Sequence, residues 1–104
     1  MIIQFNTDKT INGDDRHQDF FTDQIATELD RYQSHISRIE AHISDQNGKK
    51  DGFNDIQCML EARIEGRQPI AVSAQEDTIE LAVSGAIDKL KAALETIMGR
   101  MQDH

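Results

Sequence analysis

A single cysteine, Cys58, stands in the chain, so no disulfide can close within it. This excludes a disulfide-stapled secreted scaffold and makes the cytoplasm the simplest expected location. No apolar run approaches the roughly 20 residues that a membrane-spanning helix requires. The N-terminus, M-I-I-Q-F-N-T-D, lacks a basic region followed by a long apolar stretch, so no secretory signal peptide is expected. Internal repeats, low-complexity tracts and interdomain linkers are missing too. At 104 residues the chain reads as one domain, residues 1–104, large enough to bury a core without disulfides or metal.

An excess of positive charge is also missing. Nineteen acidic residues stand against 11 Lys and Arg, for a net charge of −8. Residues 1–35, 36–76 and 77–104 are each net negative. Affinity for nucleic acid comes largely from Lys and Arg neutralising phosphates, so the charge balance by itself argues against RNA or DNA binding. With 38% apolar and 29% charged residues, the composition fits a soluble folded protein and excludes disorder.

Motifs that carry chemistry are equally scarce. The sequence has no C-x-x-C, H-E-x-x-H, nucleophile elbow, phosphate loop or G-x-G-x-x-G. His17, His35, His42 and His104 show no metal-binding spacing and read as solvated. Cys58 falls between Ile56 and Leu60 on the inward side of a strand, where a small buried thiol is expected. A catalytic thiol would need exposure and a nearby base. Carboxylates are plentiful, but the pattern presses none into an apolar pocket. Neither enzyme activity nor a cofactor is expected.

The stretch S-D-Q-N-G-K-K-D-G-F-N-D, Ser44 to Asp55, has the look of a calcium loop. Aligned from Asp45, the EF-hand template needs a ligand at Lys49, a glycine at Lys50 and a glutamate at Ile56, and it fails at all three. The stretch also lies between strands, not helices. Asn47-Gly48 supplies residues that accept positive φ, so the segment reads as a hairpin connection with Lys49 and Lys50 at its exposed tip.

What the sequence does have is clear periodicity. Ile3 and Phe5 alternate with Gln4 in a short strand. Phe21, Ile25, Leu29, Tyr32 and Ile36 step by three and four, which predicts one face of a helix, with Asp14 or Asp15 as its cap. The period then becomes two. Ile39, Ala41 and Ile43 face inward, with Arg38, Glu40 and His42 outward. Ile56, Cys58, Leu60, Ala62 and Ile64 repeat the inward pattern, opposite Gln57, Met59, Glu61, Arg63 and Glu65. Gly66 and Arg67 predict a turn. Pro69 opens a strand bearing Ile70, Val72 and Ala74, where a missing N–H is tolerated. Asp77 and Glu80 resemble a capping box before a long helix with Ile79, Val83, Ala86, Ile87, Leu90, Leu94, Ile97 and Met101 as its apolar stripe.

The order β-α-β-β-β-α predicts an α+β two-layer sandwich: a four-stranded, mainly antiparallel sheet with two helices on one face. The last three strands form a meander, and the first pairs beside one of them, with parallel pairing open to it. The other sheet face is left open and polar, which suits a binding surface or a dimer face better than catalysis.

Ala71 to Leu90, A-V-S-A-Q-E-D-T-I-E-L-A-V-S-G-A-I-D-K-L, resembles the last strand and second helix of the ribosome hibernation-promoting factor and ribosome-associated inhibitor family, the sigma-54 modulation protein-like proteins. Leu29 to Ile43, L-D-R-Y-Q-S-H-I-S-R-I-E-A-H-I, is similar to that family's passage from first helix to second strand. C-M-L-E-A-R and G-R-Q-P-I-A-V look like a divergent bacterial branch. The resemblance spans nearly the whole chain, and its motifs are structural more than catalytic. It implies a ribosome-associated factor that binds the small subunit's mRNA and tRNA channel, contacts rRNA and blocks translation under stress or in stationary phase.

Family members bind with basic residues along the helices and flanking loops, and here the chain departs. Asp19, Asp23, Glu28 and Asp30 outnumber Arg16 and Arg31 on the first helix. The last helix ends G-R-M-Q-D-H where the family typically has a run of lysines. The sequence also stops without the extension by which long members dimerise ribosomes, so a short, acidic member is expected. The bases left to touch RNA are Arg38, Lys49, Lys50, Arg63, Arg67, Lys89, Lys91 and Arg100. The alternative is a relative that has lost RNA binding and engages a protein through its open sheet face or acidic helices, a homodimer through that face included.

Overall fold

Alternation in two central segments sets the sheet. Ile39, Ala41 and Ile43 of one segment and Cys58, Leu60, Ala62 and Ile64 of the next are all buried on the same side. The computed structural model describes residues 1–7, 15–45 and 56–102, and side chains within 1–7, 18–45 and 56–99. Its elements run β1 (Ile2–Thr7), α1 (Asp15–Glu28), a 3-10 turn (Asp30–Tyr32), β2 (Ile36–Asp45), β3 (Ile56–Ile64), β4 (Ile70–Glu76) and α2 (Ile79–Gln102). The sheet order is β1-β2-β3-β4. β1 pairs parallel with β2, while β2–β3 and β3–β4 are antiparallel. Parallel strands need a long crossover, and α1 supplies it. Asp14, Asn47-Gly48 and His104 lie outside the described residues, as do the side chains of His17 and Met101. The ladder still closes at Asp45 opposite Ile56, so the segment between them links two paired antiparallel strands.

Both helices cover one face. Phe21 and Ile25 of α1, with Leu29 and Tyr32 just after it, meet Val83, Ala86, Ile87, Leu90 and Leu94 of α2 over the inward strand residues in one apolar cluster. Each fully buried Leu, Ile or Phe in it contributes roughly 1.5–3 kcal/mol. Phe5 of β1 stacks on Phe21 at 5.9 Å between ring centroids, which holds the edge strand against α1. α2 approaches β4 closely at Gly85. A Cβ there would lie 3.2 Å from that of Ala74, so the small residue sets the spacing of helix and strand.

Three local expectations are corrected. Ile36 is buried as predicted but belongs to β2, not to the first helix. α1 ends at Glu28, and the chain tightens into a 3-10 turn, closed by Tyr32 N–H to Leu29 O at 3.0 Å. The apolar stripe therefore outlasts the α-helix. Ile36 and Ile39 both point inward although three residues separate them. An irregularity between Ile36 and Arg38 in the β2–β3 register absorbs the extra residue, Ser37, whose hydroxyl donates to the Arg63 carbonyl at 3.2 Å. Finally, the N-cap of α2 falls on Thr78, one residue beyond the expected Asp77: the Thr78 hydroxyl accepts from Leu81 N–H at 3.2 Å and its carbonyl from Ala82 N–H at 3.0 Å.

The β3–β4 connection is a tight turn closed by Arg67 N–H to Ile64 O at 3.1 Å. Gly66 takes φ +75° in it, a conformation a residue with a Cβ rarely adopts. Arg67 is thereby presented at the end of the sheet, and Pro69 stands just before edge strand β4.

Candidate nucleic-acid interface

The eight candidate bases do not converge. Lys49 and Lys50 lie outside the described residues, and the Arg100 side chain is not described. The other five fall on three separate surfaces.

Arg38 and Arg63 stand on the open sheet face, on the two central strands. The β2–β3 register puts them directly opposite each other, with Glu40 opposite Glu61 in the next row. Each arginine is matched by the acid two residues away on its own strand: Arg38 Nε lies 3.2 Å from Glu40 Oε1, and Arg63 Nε lies 3.7 Å from Glu61 Oε1. Arg38 Nη2 also donates to Gln4 Oε1 on β1. The two guanidinium charges in these rows are thus matched by two carboxylates.

Lys89 and Lys91 both lie on α2. They stand two positions apart, a rotation of about 200° on a helix, so they leave its opposite flanks. Lys89 Nζ donates to the Ser73 carbonyl of β4 at 2.7 Å, satisfying an acceptor on the sheet edge. Lys91 Nζ reaches Glu28 Oε2 at 3.0 Å and ties α2 to the end of α1. That hydrogen bond, with the attraction of the Glu28 charge, raises the Lys91 pKa above the ordinary lysine value. Nearby, Arg31 pairs with Glu95 at 3.2 Å, and the Tyr32 hydroxyl donates to the same carboxylate at 3.2 Å. Burial, then that bond, pushes the Tyr32 pKa upward.

Arg67 differs. Among the described residues it makes no ion pair, and it lines a surface groove of about 780 Å³ with Gly66, Gln68, Pro69, Ile70 and Ile97. The sequence marked the turn, but not that α2 would bring Ile97 to floor the groove. Gln4 was missed as well, because nothing local marks its reach to Arg38 across a parallel pairing.

Among the described residues, no group of three His, Cys, Asp or Glu is placed to hold a metal ion. Cys58 is fully buried, and desolvation pushes its thiol up to about 12. Among the described residues, no helix is long and apolar enough to cross a membrane. The described surface can offer one unpaired guanidinium and a balanced sheet face to a partner.

The family model for sigma 54 modulation protein / S30EA ribosomal protein matches residues 5–102. Among curated protein sequences, none matches the chain. Solved structures share its fold, among them the following two. The N-terminal domain of Protein Y from Thermus thermophilus superposes with a TM-score of 0.74 at 18% identity, over 93% of this chain and 99% of that one. A ribosomal subunit interface protein from Coxiella burnetii superposes with a TM-score of 0.67 at 17% identity, over 95% and 99%.

Proposed function

From the premise that the chain belongs to the sigma 54 modulation protein / S30EA ribosomal protein family, we propose that it is a cytoplasmic ribosome-associated factor. It binds the small subunit in the mRNA and tRNA channel, contacts rRNA and restrains translation under stress. It acts by occupancy and not by catalysis. The observation that carries this reading is the family match along nearly the whole chain, joined to a fold with the β-α-β-β-β-α order.

Charge sets how such binding would work. Four of the five candidate cations with described side chains are held by Glu28, Glu40, Glu61 or the Ser73 carbonyl. The contacts to phosphate then fall to Arg67, Lys49, Lys50 and Arg100, a small set for a net charge of −8. Association should be modest and strongly salt-sensitive.

Sedimentation of the tagged protein with ribosomes at low and high salt tests this. Co-sedimentation at low salt that fades at high salt supports it. Failure to co-sediment even at low salt overturns it. Lys49→Glu with Lys50→Glu, and separately Arg67→Glu, should each weaken association. The engaged cations also favour a second reading, a relative that has given up RNA and binds a protein. Persistent low-salt separation from ribosomes, with capture of a defined partner, would support that one.

A further inference from the structure

We propose that the open sheet face pairs two copies of this chain, with the Arg38–Arg63 row of one copy over the Glu40–Glu61 row of the other. The proposal goes beyond ribosome association and does not depend on it.

The first observation is the register. Like charges placed directly opposite on neighbouring strands are destabilising. This face holds two such pairs in consecutive rows, Arg38 opposite Arg63 and Glu40 opposite Glu61, on the two central strands. The ion pairs along each strand relieve the conflict only in part. Arg38 Nε is shielded from solvent and, though 3.2 Å from Glu40, makes no hydrogen bond.

The second observation is symmetry. A two-fold axis lying across the strands, midway between the two rows, carries each row onto the other. It keeps β2 above β2 and β3 above β3. Every arginine then meets a glutamate of the partner copy, and all four contacts form together. A two-fold axis along the strands would set arginine against arginine. The charge pattern therefore selects one orientation, as a self-complementary interface requires.

The third observation is where the rest of the charge lies. The two central rows carry two arginines and two glutamates and together are neutral, on a chain of net −8. Two copies can meet there without the repulsion that other approaches meet. The flanking positions allow close approach: Ala71 lies opposite Glu61, and exposed Ile2 and Met59, 64% and 44% accessible, add apolar surface.

Size sets the strength. Four strands about 4.8 Å apart and three rows of side chains cover roughly 400 Å² per partner. At about 800 Å² in total that is smaller than a stable specific interface, so only a weak, transient, concentration-dependent dimer is expected.

The test is analytical ultracentrifugation of the full chain over a micromolar-to-millimolar series, with two charge-reversed variants. Arg38→Glu with Arg63→Glu makes the face wholly acidic, and Glu40→Lys with Glu61→Lys makes it wholly basic. Each alone should self-associate at least roughly ten-fold more weakly than the parent. An equimolar mixture should restore the dimer as a heterodimer that high salt dissolves. A monomeric parent throughout the series overturns the proposal, and so do variants that dimerise like the parent. Thermal unfolding of each variant checks its folding. Should one fail, concentration-dependent amide shifts of the parent decide instead. Shifts on β2 and β3 around Arg38 and Glu61 support the face, and shifts confined to the helices sink it. Ribosome sedimentation reads a separate property, so either idea can fail alone.

Discussion

The Lys91 ammonium is held 3.0 Å from the Glu28 carboxylate, so the end of α1 neutralises a cation that the sequence offers to RNA. Glu95 does the same for Arg31, 3.2 Å away. The helical layer of this chain is acidic in composition and also uses its acids to occupy its bases.

Replacing Glu28 by Gln should release Lys91. Ribosome co-sedimentation over a salt series should then strengthen at low salt, with a log–log salt slope steeper by roughly one unit per new phosphate contact. Folded stability at neutral pH should hardly change, because the pair is solvent-exposed. The pair's own stabilising contribution is present below the ordinary lysine pKa. It is lost as pH rises through the raised value in the fold, so the small difference between the parent and Glu28→Gln should vanish in strong alkali.

Tyr32→Phe should lower stability by about 1 kcal/mol, because the hydroxyl that bonds Glu95 is lost while the buried ring stays. For a domain of this size that is a fall of about 4–8 °C in Tm by differential scanning calorimetry. Arg31→Ala breaks the more exposed contact to the same carboxylate and should change Tm far less.

Cys58 should be unreactive while the chain is folded. Thiol alkylation near pH 8 should be slow in the native protein and fast in denaturant. Stability should fall as pH rises from about 9 toward about 12, because the unfolded thiol ionises in that range while burial keeps the folded thiol protonated. Denaturant titrations across that range check the sign, and Cys58→Ala should flatten this part of the profile.

Gly85→Leu should cost about 1–3 kcal/mol through overpacking, since even a Cβ comes within 3.2 Å of Ala74. Adding Ala74→Gly should recover part of the loss. A double-mutant cycle with no coupling would show that helix and strand do not meet there.

Much of this molecule was legible in its sequence because side-chain period follows backbone geometry. The inward rows of β2 and β3 and the stripe of α2 came directly from it. Ile36 reads as helical in the sequence because a 3-10 turn and a bulged strand start keep apolar residues three and four apart, as a helix does. Thr78 and Asp77 both cap well, and only the backbone decides between them. The site was less legible. Glu40 and Glu61 stand two residues from their arginines and were visible in the alternating rows. Glu28 lies 63 residues from Lys91, and the Ser73 carbonyl carries no signal in a sequence at all. The bases could be counted, but which were already occupied depended on tertiary contacts.

The parallel pairing of β1 with β2 also imposes an order of assembly. Ile2 pairs with Arg38 and Thr7 with Ile43, each thirty-six residues apart. β1 leaves a translating ribosome before β2 does, yet it can close no ladder with β2 until β2 has been made. β2, β3 and β4 need only neighbouring strands and can zip up as a meander. Until then the nascent chain carries an unpaired strand bearing Ile3 and Phe5, a template for stray pairing. Its shortness, six residues, limits that hazard during synthesis.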